Sequence, residues 1–485
     1  KVFLCRGKEI LDAELIPSRG FQSSVDYKMV FGLGQSAALD SVVVVWYDRK
    51  KTVLKAPAVD QTLVIAHESA TETLRGNLYA FTRSNRFFEE RPSPFAAHKE
   101  DNFVDFYQEG LSFRMISREG PKAALADVDG DGLEDIYVCG AAGQAGCLYR
   151  QTSAGFVPAD QQTFGADSSY EDTAALFFDA DGDKDADLFV GSGGNREQTG
   201  SRYMQSRLYF NDGKGHFTFD PRALPLNGHN TAVAVPLDFD ADGDLDLFVG
   251  TRSVPGTYAV PPKQYLFQND GKGRFMDVIK TAAPDLNTIG MVTDAQLADI
   301  IGDQRPELVI VGEWMAPRVF AIENGKLVKT STKLDEYSGW WYAIEADDVD
   351  GDGDRDLILG NRGENFYFSG TREAPAKIWI WDFDGNGTME KIMTRSIDGK
   401  DMPIPLKKEL TSQLPGLKKQ NLKHVDYARK SMQDLFPAEI LKKAIVRKGN
   451  YFQSAVALNN GNGEFSLVPL PAPVQFSCVK AIHCT

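Results

Sequence analysis

The stretch ADVDGDGLEDIYVCG, residues 126–140, sets Asp127, Asp129, Asp131 and Asp135 within nine residues of one another. Like charges packed this closely repel one another and oppose folding unless a cation offsets them. In a tight acidic loop, alternate side chains converge on one point. Glycine at the fourth or sixth position permits the reversal, and the seventh residue can offer its backbone carbonyl. An all-oxygen cage of this kind suits Ca²⁺, which takes about six to eight oxygen ligands.

The pattern recurs in one register. DADGDKDADLFVG offers Asp179, Asp181, Asp183 and Asp187. DFDADGDLDLFVG offers Asp238, Asp240, Asp242 and Asp246, and DVDGDGDRDLILG offers Asp348, Asp350, Asp352 and Asp356. DFDGNGTMEKIM offers Asp382, Asp384, Asn386 and Glu390. A worn copy at Asp299 has Ile301 at the third position and keeps Asp299, Asp303 and Glu307. One acidic turn is weak evidence, because such turns are common on surfaces. Five in one register predict about five bound Ca²⁺ ions, which would take the formal net charge of −15 to −5. Most of the acidity is then ion ligand rather than partner-facing surface.

The elements that must hold these loops are strands. A short apolar strand enters each loop (AALFFD, VAVPLD, YAIEADD) and a β-rich strand leaves it (DIYVCG, DLFVG, DLILG). Hairpins follow, marked by RLYFNDGKGHFTF, QYLFQNDGKGRFMDV and AVALNNGNGEFSLV. Asn-Asp-Gly and Asn-Gly between alternating apolar residues are strong hairpin signals. Four short antiparallel strands per unit, repeated radially, describe a propeller blade. Successive loops are spaced by 52, 59, 61, 49 and 34 residues, so connections of different length hang from a common unit. The 485 residues exceed one ordinary core, and the 44 glycines suit a turn-rich β protein.

These units resemble the FG-GAP/VCBS repeats of integrin-like propellers, a resemblance that implies structural Ca²⁺ at the five matching loops. Residues 19–65, with FGLG and VVVVWYD, resemble the ASPIC/UnbV module that accompanies such propellers in cartilage acidic protein and bacterial envelope proteins. Members of that family usually carry Trp-Pro-Asp-Gly where this chain has Trp46-Tyr47-Asp48-Arg49. The expected architecture is all-β: a seven-bladed Ca²⁺-binding propeller with six loop-bearing blades visible, a small N-terminal β-sandwich and a short helical insert. The expected domains are a module over 1–68 truncated at its start, a linker over 69–110, and a propeller over 111–485 with the insert at 403–448. Both ends read as cut, and a seventh blade would draw partly on N-terminal strands.

The insert carries eleven Lys/Arg against four Asp/Glu within an acidic chain. A helical hairpin packed on the propeller and solvated by its lysines is the preferred reading, and a basic arm for an acidic partner or membrane surface is the alternative. Aromatic residues beside polar ones suggest a ligand face: Glu313 and Trp314, Trp340 and Trp341, then Asn361, Arg362 and Asn365. The Pro-rich loop 250–262 could share that face, although paired tryptophans beside a strand more often pack between blades. Cys139 and Cys147 flank a Gly/Ala loop and read equally as a disulfide or as two reduced thiols.

The acidic balance argues against nucleic acid, which requires basic patches. No apolar run is long enough to span a bilayer. No nucleophile elbow, His-Glu-x-x-His or P-loop occurs, and no separate acid–base pair stands out. The chain therefore reads as a non-enzymatic Ca²⁺-stabilised binding or adhesion scaffold. Its expected place is extracellular, or on a bacterial envelope and periplasm, where Ca²⁺ is plentiful. Its expected partner is a protein or glycan at the cell surface, with an envelope complex as an open option. A glycan-active lyase or hydrolase is the runner-up, and a structural spacer in a longer surface protein is the third reading.

Overall fold

A computed structural model describes all residues except 8, 19, 35–37, 75–91, 160–161, 462 and 485. It divides into two compact units, Lys1–Pro92 and Ser93–Thr485.

The first unit is one antiparallel sheet, ordered Glu9–Ala13, Val2–Arg6, Ser41–Val45, Lys50–Lys55, Glu72–Thr73. A sandwich was expected here, and a single sheet is found. The run Val42–Val45 explains why. Successive side chains point to opposite faces, so Val43 and Val45 pack with Phe3 and Leu74 on one side. Val42 and Val44 pack with Leu4 and Leu39 on the other. On that second side Phe31, Leu33, Val59 and Ile65 of the connecting segments cover the sheet in place of a second one. The strand Glu72–Thr73 and buried Leu74 carry this unit past residue 68. Part of the expected linker, 75–91, lies outside the described residues.

In the second unit, five sheets carry the repeats, four of them four-stranded and the fourth five-stranded because Gly339–Trp340 also pairs with Glu307–Met315. Their first strands are Ala123–Ala126, Asp172–Phe178, Asn230–Leu237, Met291–Ala298 and Ala343–Asp347. Alternation builds the core between neighbouring sheets. In the third sheet Leu247 and Val249 pack with Phe189 and Leu208 of the second. Phe248 between them packs with Leu308 and Ile310 of the fourth. Val309 and Val311 then pack with Leu357 and Leu359 of the fifth. The second strands Asp187–Ser192, Asp246–Ser253 and Glu307–Met315 are therefore buried on both faces, as a radial stack requires. The starts of the five first strands meet around a cavity of about 310 Å³ lined by Lys122, Thr173, Thr231, Thr293 and Tyr342. Thr173 donates its hydroxyl hydrogen to Thr231 O of the next sheet at 2.6 Å, and Thr293 donates to Trp341 O at 2.7 Å.

A sixth sheet, ordered Lys400–Pro403, Glu390–Ile397, Ala376–Trp381, Ile445–Gly449, is not in series with the others. It is inserted within the fifth, whose second strand Asp356–Gly360 pairs with Ala455–Asn459 beyond the insertion. The expectation of a seventh blade closed by N-terminal strands is not met among the described residues. Among the described residues, strands before residue 92 pair only with one another.

The insert 403–448 is not a helical hairpin but five short helices: Lys407–Gln413, Leu417–Gln420, His424–Tyr427, Met432–Leu435 and Ala438–Leu441. Buried Leu410, Leu417, Met432 and Leu435 of these helices, with Leu414 between the first two, pack on Trp379 and Ile392 of the inserted sheet and on Phe383 of its acidic loop.

Candidate metal centres

Each repeat sheet, and the inserted one, places its acidic loop between its first and second strands. The loop folds around the first carboxylate. Asp127 Oδ1 accepts the N–H of Gly130 at 2.8 Å, and its Oδ2 accepts that of Gly132 at 2.8 Å. Asp382 does the same with Gly385 and Gly387. The fourth and sixth loop residues are both left-handed in every copy, including the non-glycines Lys184 (φ 76°) and Ala241 (φ 63°). Glycine is favoured there because a Cβ is strained at positive φ.

The ninth residue is the buried anchor. Asp187 Oδ2 accepts the Ala180 N–H at 2.9 Å, and its Oδ1 accepts the Asn211 N–H at 2.8 Å. Asp246 repeats this with Phe239 and Asn269, and Asp356 with Val349 and Asn459. The asparagines then reach backwards. Asn211 Nδ2 donates to Val128 O, Asn269 to Ala180 O and Asn459 to Ile300 O, each at 2.8 Å and each in the loop of the preceding sheet. The acidic loop is thus the joint of its own sheet and the attachment point of the next.

Five clusters bring carboxylate oxygens within 4.8 Å of one another: Asp127/Asp129/Asp135, Asp179/Asp181/Asp187, Asp238/Asp240/Asp246, Asp348/Asp350/Asp356 and Asp382/Asp384/Glu390. These are the first, third and ninth positions of the five matching loops. Of the fifth-position residues Asp131, Asp183, Asp242, Asp352 and Asn386, the four aspartates lie outside the clusters. Their side-chain oxygens accept the N–H two residues on, as Asp131 does from Leu133 at 2.9 Å and Asn386 from Thr388 at 2.7 Å. At Asp299 no such cluster forms among the described residues. Ile301 supplies no oxygen there, and the Arg305 guanidinium takes Asp303 at 2.5 Å.

The donor set fits a hard cation. Asp129, Asp238 and Asp240 each bury an Oδ1 without a hydrogen-bond partner, and so do Asp185 and Asp244 at the seventh position. Buried unpaired carboxylate oxygens are costly, and a divalent ion would satisfy them. Burial, with Asp181 and Asp185 close by, pushes Asp187 up to about 7. Burial and Asp240 and Asp244 do the same to Asp246. Asp185 and Asp244 are pushed up to about 6 by burial and adjacent carboxylates. Those two acids are the site residues that the sequence reading missed. Their signal was present, since the seventh position is acidic in three of the five matching loops.

The residues expected to form a ligand face lie mostly inside. Glu313, Trp314, Trp340, Trp341 and Asn361 are all buried. Glu313 Oε1 accepts from Arg252 at 2.8 Å and faces Arg114 at 3.1 Å, and its Oε2 accepts the Tyr258 hydroxyl at 2.8 Å. Trp314 donates to the same Tyr258 oxygen. Trp340 stacks on Phe113 at 4.5 Å, and Trp341 donates to Tyr337 O. Asn361 Oδ1 caps the Trp340 and Arg362 N–H groups. Arg362 lies over Phe366, and exposed Asn365 donates to Phe476 O. Tyr258 of the Pro-rich loop is buried as well.

Part of the expected linker helps to form this interior. Buried Asp105 accepts the Ile116 and Ser117 N–H groups and the Asn195 amide. Glu109 holds the Lys391 ammonium at 2.7 Å and accepts the Tyr258 N–H. All five cysteines are free.

Comparison with known proteins agrees with this geometry. The ASPIC and UnbV family model matches residues 1–72. The FG-GAP-like repeat model matches 127–190, 193–249 and 299–359. No curated protein matches the chain. Solved structures with some similarity include an Agrocybe aegerita lectin recognising non-reducing terminal N-acetylglucosamine. It is 16% identical, with TM-score 0.34 over 69% of this chain and 72% of that one. A Bombyx mori GH32 β-fructofuranosidase is 13% identical, with TM-score 0.27 over 61% and 67%. A Trypanosoma rangeli sialidase is 9% identical, with TM-score 0.29 over 58% and 53%. With its acidic loops in register and both models matched, the chain is an FG-GAP-repeat protein carrying an ASPIC/UnbV module.

Proposed function

We propose that this chain is a Ca²⁺-stapled propeller scaffold that binds protein or glycan ligands outside the cytosol rather than an enzyme. The reading rests on the five carboxylate clusters and on the unpartnered buried oxygens within them. In each cluster the first, third and ninth residues would hold one ion, with Asp185 and Asp244 adding to the second and third. The ion supplies positive charge at the joint between a sheet's first two strands, where the next sheet also attaches. Its role is mechanical: it holds the loops that carry the Asn211, Asn269 and Asn459 bonds. Oxygen cages of this kind in extracellular modules bind at about 10⁻⁴–10⁻³ M, so they stay filled at millimolar Ca²⁺ and empty in cytosol.

The test is a metal count joined to a melting curve with and without chelator, followed by glycan-array and protein-capture screening of the Ca²⁺-loaded chain. Several Ca²⁺ per chain, a large stabilisation and ligand binding without turnover are expected. No bound metal would overturn the reading, as would glycan cleavage abolished by one carboxylate outside the loops.

A further inference from the structure

We propose that segment 406–430 of the insert docks this protein on an anionic lipid bilayer. The segment carries Lys407, Lys408, Lys418, Lys419, Lys423, Arg429 and Lys430 against only Glu409 and Asp426, in a chain of net charge −15. Among the described residues, none of Lys408, Lys418, Lys419, Lys423 and Arg429 has an acidic partner within salt-bridge distance, and all five are exposed.

Three aliphatic side chains stand out among these cations: Leu422 is 79% exposed, Leu406 67% and Val425 50%. They are held there rather than left loose. Lys407 Nζ donates to Leu422 O at 2.7 Å and Lys430 Nζ to Gln420 O at 3.1 Å, so two ammonium groups clamp the turn from either side. Buried Asn421 donates to Leu417 O at 2.9 Å, which fixes the backbone behind Leu422. Beneath the turn, Leu410, Leu414, Leu417 and Tyr427 are anchored in the core of the inserted sheet.

The chemistry selects the occupant. Exposed aliphatic side chains on a segment of seven cations, its turn held by two ammonium groups, match an interface whose outer layer is anionic and whose next layer is hydrocarbon. Sugar and single-stranded nucleic-acid sites present aromatic faces. The segment has no exposed Phe, Tyr or Trp: Tyr427 is buried and donates its hydroxyl hydrogen to Pro405 O, and the only other ring is the exposed His424 imidazole. Lysine ammoniums outnumber guanidinium six to one here, which favours diffuse charge attraction over bidentate recognition.

The experiment is vesicle co-sedimentation of the full Ca²⁺-loaded chain. It compares phosphatidylcholine vesicles with vesicles also containing phosphatidylserine or phosphatidylglycerol. Binding only to the anionic vesicles is expected. Each removed charge should weaken it about fivefold, so K418Q/K419Q/K423Q should weaken it by about two orders of magnitude. Leu422→Ser leaves the charge unchanged and should weaken binding while the melting temperature stays put. Equal binding to neutral vesicles, no binding to either, or anionic binding unchanged in all variants would overturn the proposal. So would a lipid-free dimer dissolved by K418Q/K419Q/K423Q, which would assign the patch to a second copy. Retention on heparin without vesicle binding would assign it to a soluble polyanion and likewise overturn it.

Discussion

Metal and proton compete for the same oxygens, so the stabilisation given by Ca²⁺ should grow steeply with pH. Without the ion, Asp187 and Asp246 are raised from 3.8 to about 7 by burial and their neighbours. Both side chains are essentially inaccessible, at 1% and 0% exposure. A carboxyl whose folded pKa lies above its unfolded value holds its proton more tightly when folded. The metal-free form is therefore best favoured below about pH 4 and loses that advantage as pH rises through about 7. Roughly three pKa units at 1.36 kcal/mol each give about 4 kcal/mol per loop. Asp185 and Asp244 titrate in the same clusters, so the protons leave as coupled sets and about 4 kcal/mol is a ceiling for each loop. Ca²⁺ reverses the slope, because it binds the deprotonated set. One site filled at a hundredfold excess over its dissociation constant adds about 2.7 kcal/mol. The assay is calorimetric melting across pH 5 to 8, on chain dialysed against chelator and on chain in millimolar Ca²⁺. The metal-free melting temperature should fall with rising pH, and the gap between the two curves should widen by several degrees. A gap constant across that range, or a metal-free melting temperature that climbs with pH, would refute the reasoning.

Four further perturbations probe the frame. Asn269→Ala should cost about 2–4 kcal/mol in chemical denaturation, because Ala180 O and Leu245 O lose their buried donor together. An unchanged midpoint would show that the link between sheets carries no energy. Ala241→Gly should gain about 0.5–1 kcal/mol by relieving a left-handed alanine, read as a higher melting temperature. Burial raises Glu171 to about 8 from 4.5, so its presence costs stability as pH climbs from about 4.5 to 8. Glu171→Gln should therefore stabilise at pH 8, by about 2 kcal/mol after discounting its partial exposure, and be neutral near pH 4. Trp340→Ala should cost about 3–5 kcal/mol, since the ring is fully buried between Phe113, Trp314 and Phe368. A variant that melted normally but lost ligand would return Trp340 to a binding face.

The acidic loops were legible because they are local. Nine consecutive residues contain the turn, its left-handed positions and most of its oxygens, so spacing alone marked Asp127, Asp129 and Asp135 and set the copy at Asp299 apart as worn, leaving its metal binding open. The aromatic residues were not legible in that way. Trp340 and Glu313 read as a ligand face because sequence cannot show that Phe113, Arg114 and Arg252 converge on them from up to 227 residues away. Asp185 was overlooked for a smaller reason. The seventh position was assigned its backbone carbonyl, whereas its side-chain oxygen is the one left buried and unpaired.

Local pattern was enough for the repeat, the four-strand unit and the chemistry of its joint, because alternation of side chains and turn residues act over a few residues. Tertiary structure decided how the units combine. It set the sixth sheet inside the fifth instead of after it, since strand pairing between Asp356–Gly360 and Ala455–Asn459 joins segments about a hundred residues apart. It also turned the end of an expected linker into buried ion partners, because only packing reveals which charge is held by another and which is left for solvent.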